Sequence, residues 1–342
     1  MGDQTPVFCT IFDKNYLVQA LALHQSLKTH ANKFKLYCLA LDDLSTAALR
    51  TLAHPEIVVV TLADIDQSQL PHIRAQMSWA QLCWSMQPLF CLHILDLGES
   101  HVTYLETDSM FFSDPLVLLK EIGNRSVSLV PHHFSAEFKK FESESGRFCV
   151  QFNFFRNDAN ARSCLNYWLN RCLEYRKDLP FTLPGQLCLN DWEKMFLGVA
   201  VIENQGAGVA PWNIQQYRIT KVKEQVYVDK TPVVFFHYHQ FSRYQNGDFE
   251  LGLYPISVGA YEYFYKPYIQ MLLDIEDELK KKANGFSFRR EIENPPNIFS
   301  AMARSIIEMN FSALDKSTQP IRRKLKGTYN VVPLSRYKQF QM

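Results

Sequence analysis

The stretch His101-Val-Thr-Tyr-Leu-Glu-Thr-Asp-Ser-Met-Phe-Phe-Ser-Asp-Pro115 decides how this chain of 342 residues is read. An apolar run, Val102 to Leu105, leads directly into Glu106-Thr107-Asp108. Continuous rather than alternating apolar character in the three amino-terminal runs, Val7 to Phe12, Lys35 to Leu41 and Ile57 to Leu62, marks strands buried on both faces, as in parallel sheets. Two carboxylates at i and i+2 beside the carboxyl end of Val102 to Leu105 stand where open α/β sheets bind ligands. Such a pair suits a hard divalent cation, Mn²⁺ or Mg²⁺, which can in turn hold a diphosphate. An E-x-D spacing alone also describes two solvated acids in a turn, so its surroundings carry the weight.

Working outward, the amino-terminal side alternates strands and helices. Val7 to Phe12 is a compact apolar run ending at Asp13, followed by a helical face of Leu17, Ala20, Leu21 and Leu27. Strands are expected at Lys35 to Leu41 and Ile57 to Leu62, with a short helix carrying Ala47, Leu49 and Leu52 between them. An aromatic helical region from about Gln76 to Leu97 precedes the decisive stretch. This order predicts an α/β chain with a mostly parallel sheet flanked by helices. On the carboxyl side, strands are expected at Ser126 to Val130, Phe148 to Arg156, Val199 to Ile202 and Pro232 to Phe236. A packed helix follows from the spacing of Cys164, Leu165, Trp168, Leu169 and Cys172, and another helix is expected around Leu189 to Met195. Beyond Gly259 the pattern turns helical: Tyr268, Met271, Leu272, Ile275 and Leu279 share a face, with Asn284-Gly285 as its cap. A second amphipathic stretch carries Ile298, Phe299, Met302, Ile306 and Met309. The predicted division is residues 1–258 as the ligand-binding domain and 259–342 as a helical extension with a basic tail.

Several segments together resemble the GT-A glycosyltransferases, a Rossmann-like fold, and within them family-8-like members. Tyr104-Leu105, Asp108, Phe112, Asp114 and Pro115 are similar to a YLDAD…FFSDP segment whose D-x-D binds the metal of a nucleotide-diphosphate sugar. Phe8 to Leu17 with His24-Gln25-Ser26-Leu27 resembles the first strand and helix, which cradle the nucleotide. Phe236-His237-Tyr238-His239 is similar to a late HYxG element, Gly185 to Asn190 to DQxxLN, Phe148 to Asp158 to FNxGxxxFRND, and Gly206 to Asn213 to GxxxAPWN. They come in family order over roughly Val7 to Phe241. The resemblance implies a metal held by Glu106, Asp108 and His237. It implies a nucleotide-sugar site of Cys9, Thr10, Phe12, Asp13, Tyr16, Glu106, Thr107, Asp108, Gln186 and His237, with Gln186 and Asp108 serving catalysis. The chain departs from the pattern at Glu106 and Gly185, where Asp is usual, at Cys149, where Asn is common, and at Gln151, where Gly is common.

The implied reaction is metal-dependent transfer of a sugar from a nucleoside diphosphate sugar to a hydroxyl of a glycan, lipid-linked or protein acceptor, with retention of anomeric configuration. The departures motivate a second reading, a catalytically weakened protein that binds a nucleotide sugar or glycan. A metal-dependent hydrolase using His237 and His239 lacks the further ligand cluster such sites show. Two histidines, His132 and His133, read as loop residues. Gly206 and Gly208 read as turn formers.

Composition bounds the rest. A net charge of +1 gives no field for nucleic acid. The polar start, Met1 to Pro6, lacks a signal peptide's pattern, and eight cysteines without a C-x-x-C pair read as reduced core thiols of a cytoplasmic protein. Lys316 to Met342 holds seven basic residues and no acidic one, so peripheral contact with an anionic inner membrane face is expected there, as is packing on the net-acidic remainder. The sequons at Asn124 and Asn310 carry no weight in a cytoplasmic protein.

Overall fold

The structure, a computed structural model, describes residues 5–65, 79–174, 184–244, 246–282, 291–292 and 331–332. The expected cap at Asn284-Gly285, the amphipathic stretch from Ile298 to Met309, the Asn310 sequon and the basic tail apart from Val331 and Val332 lie outside the described residues.

The central sheet follows from the amino-terminal alternation. Strands β1 (Val7–Phe12), β2 (Lys35–Ala40), β3 (Ile57–Thr61) and β4 (His101–Leu105) are all parallel, in the order β3-β2-β1-β4. Beyond β4 the order continues through β8 (Phe152–Arg156), antiparallel to β4, to β6 (Val127–Pro131) and β7 (Phe148–Cys149). Strand β9 (Val199–Val201) pairs parallel with β6. The fold is thus a mostly parallel sheet flanked by helices, and a carboxyl-terminal helix packs on it.

Each strand buries two faces because it feeds two cores. On β1, Phe8 and Phe12 enter a core with helices α1 (Leu17–His30), α2 (Asp43–Leu52) and α4 (Leu116–Ile122), while Val7, Cys9 and Ile11 enter the opposite core. That second core is closed by α3 (Trp79–Asp96) and α5 (Ala159–Leu173), the latter through Cys164, Leu165, Trp168, Leu169 and Cys172 as the helical spacing predicts. Strand β3 departs from the expectation of two buried faces: only Val60 is buried, because β3 is the sheet's edge. The carboxyl-terminal α6 (Lys266–Lys282) places Tyr268, Ile269, Leu272, Ile275 and Leu279 in the α1 core. All eight cysteines are free, and all but Cys83 are buried.

Three expected elements come out differently. The run Phe148 to Arg156 is split, since Val150 and Gln151 turn between β7 and β8. The segment Pro232 to Phe236 divides into β12 (Thr231–Pro232) and β13 (Phe235–His237), and β13 pairs antiparallel with β5 (Ser109–Phe111). Proline has no N–H for a ladder, and Pro232 ends the small antiparallel sheet of β10 (Ile219–Val222), β11 (Gln225–Val228) and β12, whose hairpin the sequence reading did not anticipate. The helix expected at Leu189 to Met195 is a chain of single turns over 184–195. Among the described residues, no helix is long and apolar enough to cross a membrane.

Candidate active site

The chain runs β1, β2, β3 outward on one side and then crosses to place β4 on the other side of β1. This reversal opens a crevice at the carboxyl ends of β1 and β4, the usual ligand position in such sheets. Asp13 follows β1, and Glu106 to Asp108 follow β4. The two ends are tied together: Thr107 Oγ1 donates to Ile11 O at 2.9 Å and lies 2.9 Å from Thr10 Oγ1.

From the distant β13, His237 arrives opposite Ser109 in register, and Tyr238 N donates to Asp108 O at 2.8 Å. The result sets His237 Nε2 3.1 Å from Asp108 Oδ1. The other ring nitrogen, Nδ1, is 3.1 Å from Gln151 Oε1 and 4.0 Å from Cys149 Sγ. Both partners are acceptors, so both ring nitrogens carry protons in the metal-free chain: Nδ1 donates to Gln151 and Nε2 to Asp108. Burial alone would neutralise His237, but the Asp108 charge and hydrogen bond hold its pKa well above the usual value. Burial pushes Asp108 up, and the His237 charge and hydrogen bond more than reverse this, leaving the carboxyl below its ordinary range.

Glu106 faces elsewhere. Gln87 Nε2, from α3, donates to Glu106 Oε1 at 3.1 Å and to Tyr104 OH at 3.0 Å. Burial, and then the Asp108 charge, push the Glu106 carboxyl up to about 8. Glu106 is therefore protonated at neutral pH unless a cation joins it. Glu106, Asp108 and His237 do not bring three ligand atoms within 4.8 Å of one another, whereas His24, His54 and Glu56 do.

The remaining residues of the expected site divide. Cys9 is wholly buried in the core on the α3 side, with Sγ 3.9 Å from that of Cys91, and Phe12 is buried in the α1 core. Thr10 is buried on the Thr107 hydroxyl. Asp13 accepts from Asn15 N at 2.9 Å, and half-buried Tyr16 packs against the α1 core at the start of α1. Gln186 donates to Ser145 O at 2.8 Å and accepts from Val150 N at 3.3 Å, so it fastens the segment leading into Gln151.

Further residues shape the site. Gln151, a departure from the family pattern, holds His237 and keeps its own Nε2 buried without a partner among the described residues. Gly208 lies against it at φ +71°, and a Cβ there would stand 2.4 Å from Gln151 Nε2. His132 lies in the loop after β6 as expected, but it is buried, stacked on Phe134 with centroids 4.6 Å apart, and burial pushes its pKa down to about 3. Trp212 donates to His132 O at 2.7 Å and meets His132, His237 and His239 edge-on at 5.2, 5.2 and 5.3 Å. Gln87 could have been found as a polar residue on an apolar helix face; the others follow only from the fold.

A Rossmann-like sheet with a switch-point carboxylate, a histidine returned by a late strand and helices on both faces constitutes the GT-A fold. Solved structures agree: the chain matches the apo form of the bifunctional glycosyltransferase WbbM with a TM-score of 0.51 at 16% identity, covering 82% of this chain. It spans 52%, about half, of that protein's length. It also matches the galactosyltransferase LgtC, solved with donor and acceptor sugar analogues, with a TM-score of 0.51 at 14% identity over 80% of this chain and 99% of that one. By sequence, the uncharacterized protein YfnD of Bacillus subtilis is 27% identical over 292 residues, 82% of this chain and 93% of its own. A second, YfnF of the same organism, is 26% identical over 245 residues, 68% of this chain and 81% of its own. No family model matches the chain.

Proposed function

We propose that this protein transfers a sugar from a nucleoside diphosphate sugar to an acceptor hydroxyl, with retention of configuration. The observation that carries the proposal is the Asp108–His237 pair, assembled from strands far apart in sequence at the switch point of a GT-A sheet. His237 is buried and Asp108 is partly open to solvent, so the pair faces the crevice from its inner wall.

The donor set fits a divalent cation, Mn²⁺ or Mg²⁺, through two atoms. Asp108 Oδ1 and His237 Nε2 stand 3.1 Å apart, a spacing that two ligands of one ion adopt. Glu106 joins directly only by leaving Gln87, and otherwise acts through water. Bound there, the cation would neutralise charge on the departing diphosphate. This chain's own residues do the positioning. Gln151 keeps the proton on His237 Nδ1, so Nε2 is the nitrogen that would give up its proton to a cation; Gln87 restrains Glu106, and Gln186 braces the segment beneath the donor sugar. Trp212, itself buried, meets His237 edge-on and backs the pair from within the core. Half-buried Tyr16, at the start of α1, is the candidate to meet the base, whereas Phe12 at the end of β1 is buried in the α1 core. The acceptor class is a glycan, lipid-linked saccharide or protein.

A second reading, binding without turnover, draws on Gly185, which supplies no carboxylate next to Gln186, and on the engagement of Glu106 by Gln87. One experiment addresses both. A panel of nucleoside diphosphates and their sugars is screened by thermal shift with and without Mn²⁺, then by hydrolysis and transfer assays. Stabilisation that needs Mn²⁺ and is lost in Asp108→Asn, with sugar released or transferred, supports the transferase. Binding without release or transfer supports the binder. No stabilisation by any member of the panel rejects both.

A further inference from the structure

A second constellation lies at the opposite edge of the sheet. Glu56 immediately precedes β3, so it stands at the amino ends of the parallel strands, whereas Asp108 lies beyond their carboxyl ends. His24 comes from α1, and His54 from the loop joining α2 to β3. One ligand atom from each of His24, His54 and Glu56 lies within 4.8 Å of the other two. His24 Nε2 and Glu56 Oε2 are 3.2 Å apart, and the two imidazole rings have centroids 4.6 Å apart at 38°.

We propose that His24, His54 and Glu56 form a binding site for a zinc-class divalent cation, separate from the Asp108–His237 site. Ligands about 2.05 Å from a tetrahedral ion are spaced roughly 3.3 Å from one another. The His24–Glu56 pair already has that spacing. His54 needs only to draw in. It is placed to do so, since it follows Ala53, a left-handed residue at φ 49° that ends α2, and is not itself in a helix or strand. Two imidazoles and one carboxylate are the donor set of open zinc sites, with the fourth position left to water, and are a poor match for Mg²⁺ or Ca²⁺. Lys28 does not occupy the ligand atom: its Nζ is 3.2 Å from the other carboxylate oxygen, Oε1. The ion would join α1 to the α2–β3 loop. An ion held by the folded chain and not by the unfolded one stabilises the fold in proportion to the logarithm of its excess over Kd.

The test uses the full chain, freed of metal by a chelator and then titrated with ZnCl₂ or CoCl₂. The expected result is a rise of a few degrees in the unfolding midpoint with Zn²⁺ at about a hundredfold excess over Kd. Cobalt(II) should give the intense visible bands of a tetrahedral centre. Both responses should persist in Asp108→Asn, which removes the other site, and disappear in His54→Ala and in Glu56→Gln. Glu56→Gln is nearly isosteric and keeps an acceptor for His24, so loss of zinc binding there is not loss of fold. Absence of both responses in the wild-type chain, or responses undiminished in the two variants, overturns the proposal; the latter would place the ion elsewhere on the chain.

Discussion

At the scale of single residues, the candidate site depends on glutamines that do no chemistry. Gln151 accepts from His237 Nδ1 and so decides that Nε2 faces Asp108. Losing such an orienting partner typically costs about 10–100-fold in metal affinity or activity. Gln151→Leu is accordingly expected to weaken Mn²⁺ binding by that factor in the presence of nucleotide, and a Mn²⁺ titration giving the wild-type affinity would remove Gln151 from the role. Glu106 makes the opposite prediction. Its folded pKa is raised to about 8, so the stability it contributes is complete below the unfolded value of 4.5 and is lost as pH rises through about 8. Glu106→Gln escapes that loss. In metal-free protein it should be the more stable form at pH 8, by on the order of a few kcal/mol, with the advantage vanishing near pH 4. Unfolding midpoints across that range check it, and an advantage that does not grow with pH would show Glu106 to be ionised throughout.

Among the elements, several of the segments that resemble a family turn out to be folding signals. Asp114 Oδ1 accepts from Leu116 N at 2.9 Å and starts α4, and Ser113 Oγ donates to Val233 O at 2.9 Å, docking that turn on the link that leads into β13 and His237. Asn213 accepts from Ala210 N and donates to His132 O and Gly208 O, each at 2.9 Å, holding the loop that carries Trp212. Asp158 caps α5 by accepting from Ala161 N at 2.9 Å, and its other oxygen accepts from Ser126 Oγ at 2.8 Å. Asp158→Ala should therefore destabilise the fold by about 1–2 kcal/mol through the lost cap. Because α5 packs on the face away from His237, nucleotide affinity should be unchanged. Denaturant midpoints and a binding titration check the two halves, and a change in affinity without a change in midpoint would contradict this placement. Gln186 lies between the two roles. Its amide bonds Ser145 O and Val150 N, and Gln186→Ala is expected to lower transfer strongly while bare nucleoside diphosphate binds nearly as before.

For the whole molecule, the buried histidines set the acid limit. Burial pushes His24 down to about 4 and His132 down to about 3. The unfolded chain binds those protons near 6.5 while the folded chain does not, so stability falls as pH drops from about 6.5 towards 3. His132→Phe, which keeps an aromatic ring between Phe134 and Trp212, should flatten that decline; an acid transition of unchanged steepness would count against His132 as a cause. The same scale holds the fold together. Tyr238 and Tyr268 stack with centroids 3.7 Å apart, joining α6 to the strand end that carries His237. The helix after the predicted boundary at 258 thus shares a core with the site's own strand.

The sequence by itself determined the alternation of strands and helices, the parallel half of the sheet and the position of Glu106 and Asp108 at a strand's end. These are local matters: apolar runs and helical periodicity are read within a dozen residues, and a carboxylate's place on a strand is fixed by the strand. It placed His132 in a loop, where the structure has it, but could not show its burial, which comes from Trp212 and Phe134, residues that no periodicity places beside it. Only the tertiary structure decided which carboxylate meets His237. Glu106 and Asp108 are equivalent on paper, two residues apart. The β5–β13 pairing brings His237 to Asp108, while Gln87 from the opposite face takes Glu106. Both outcomes depend on contacts between segments 19 and more than 100 residues apart, and such contacts exist only once the chain has closed on itself.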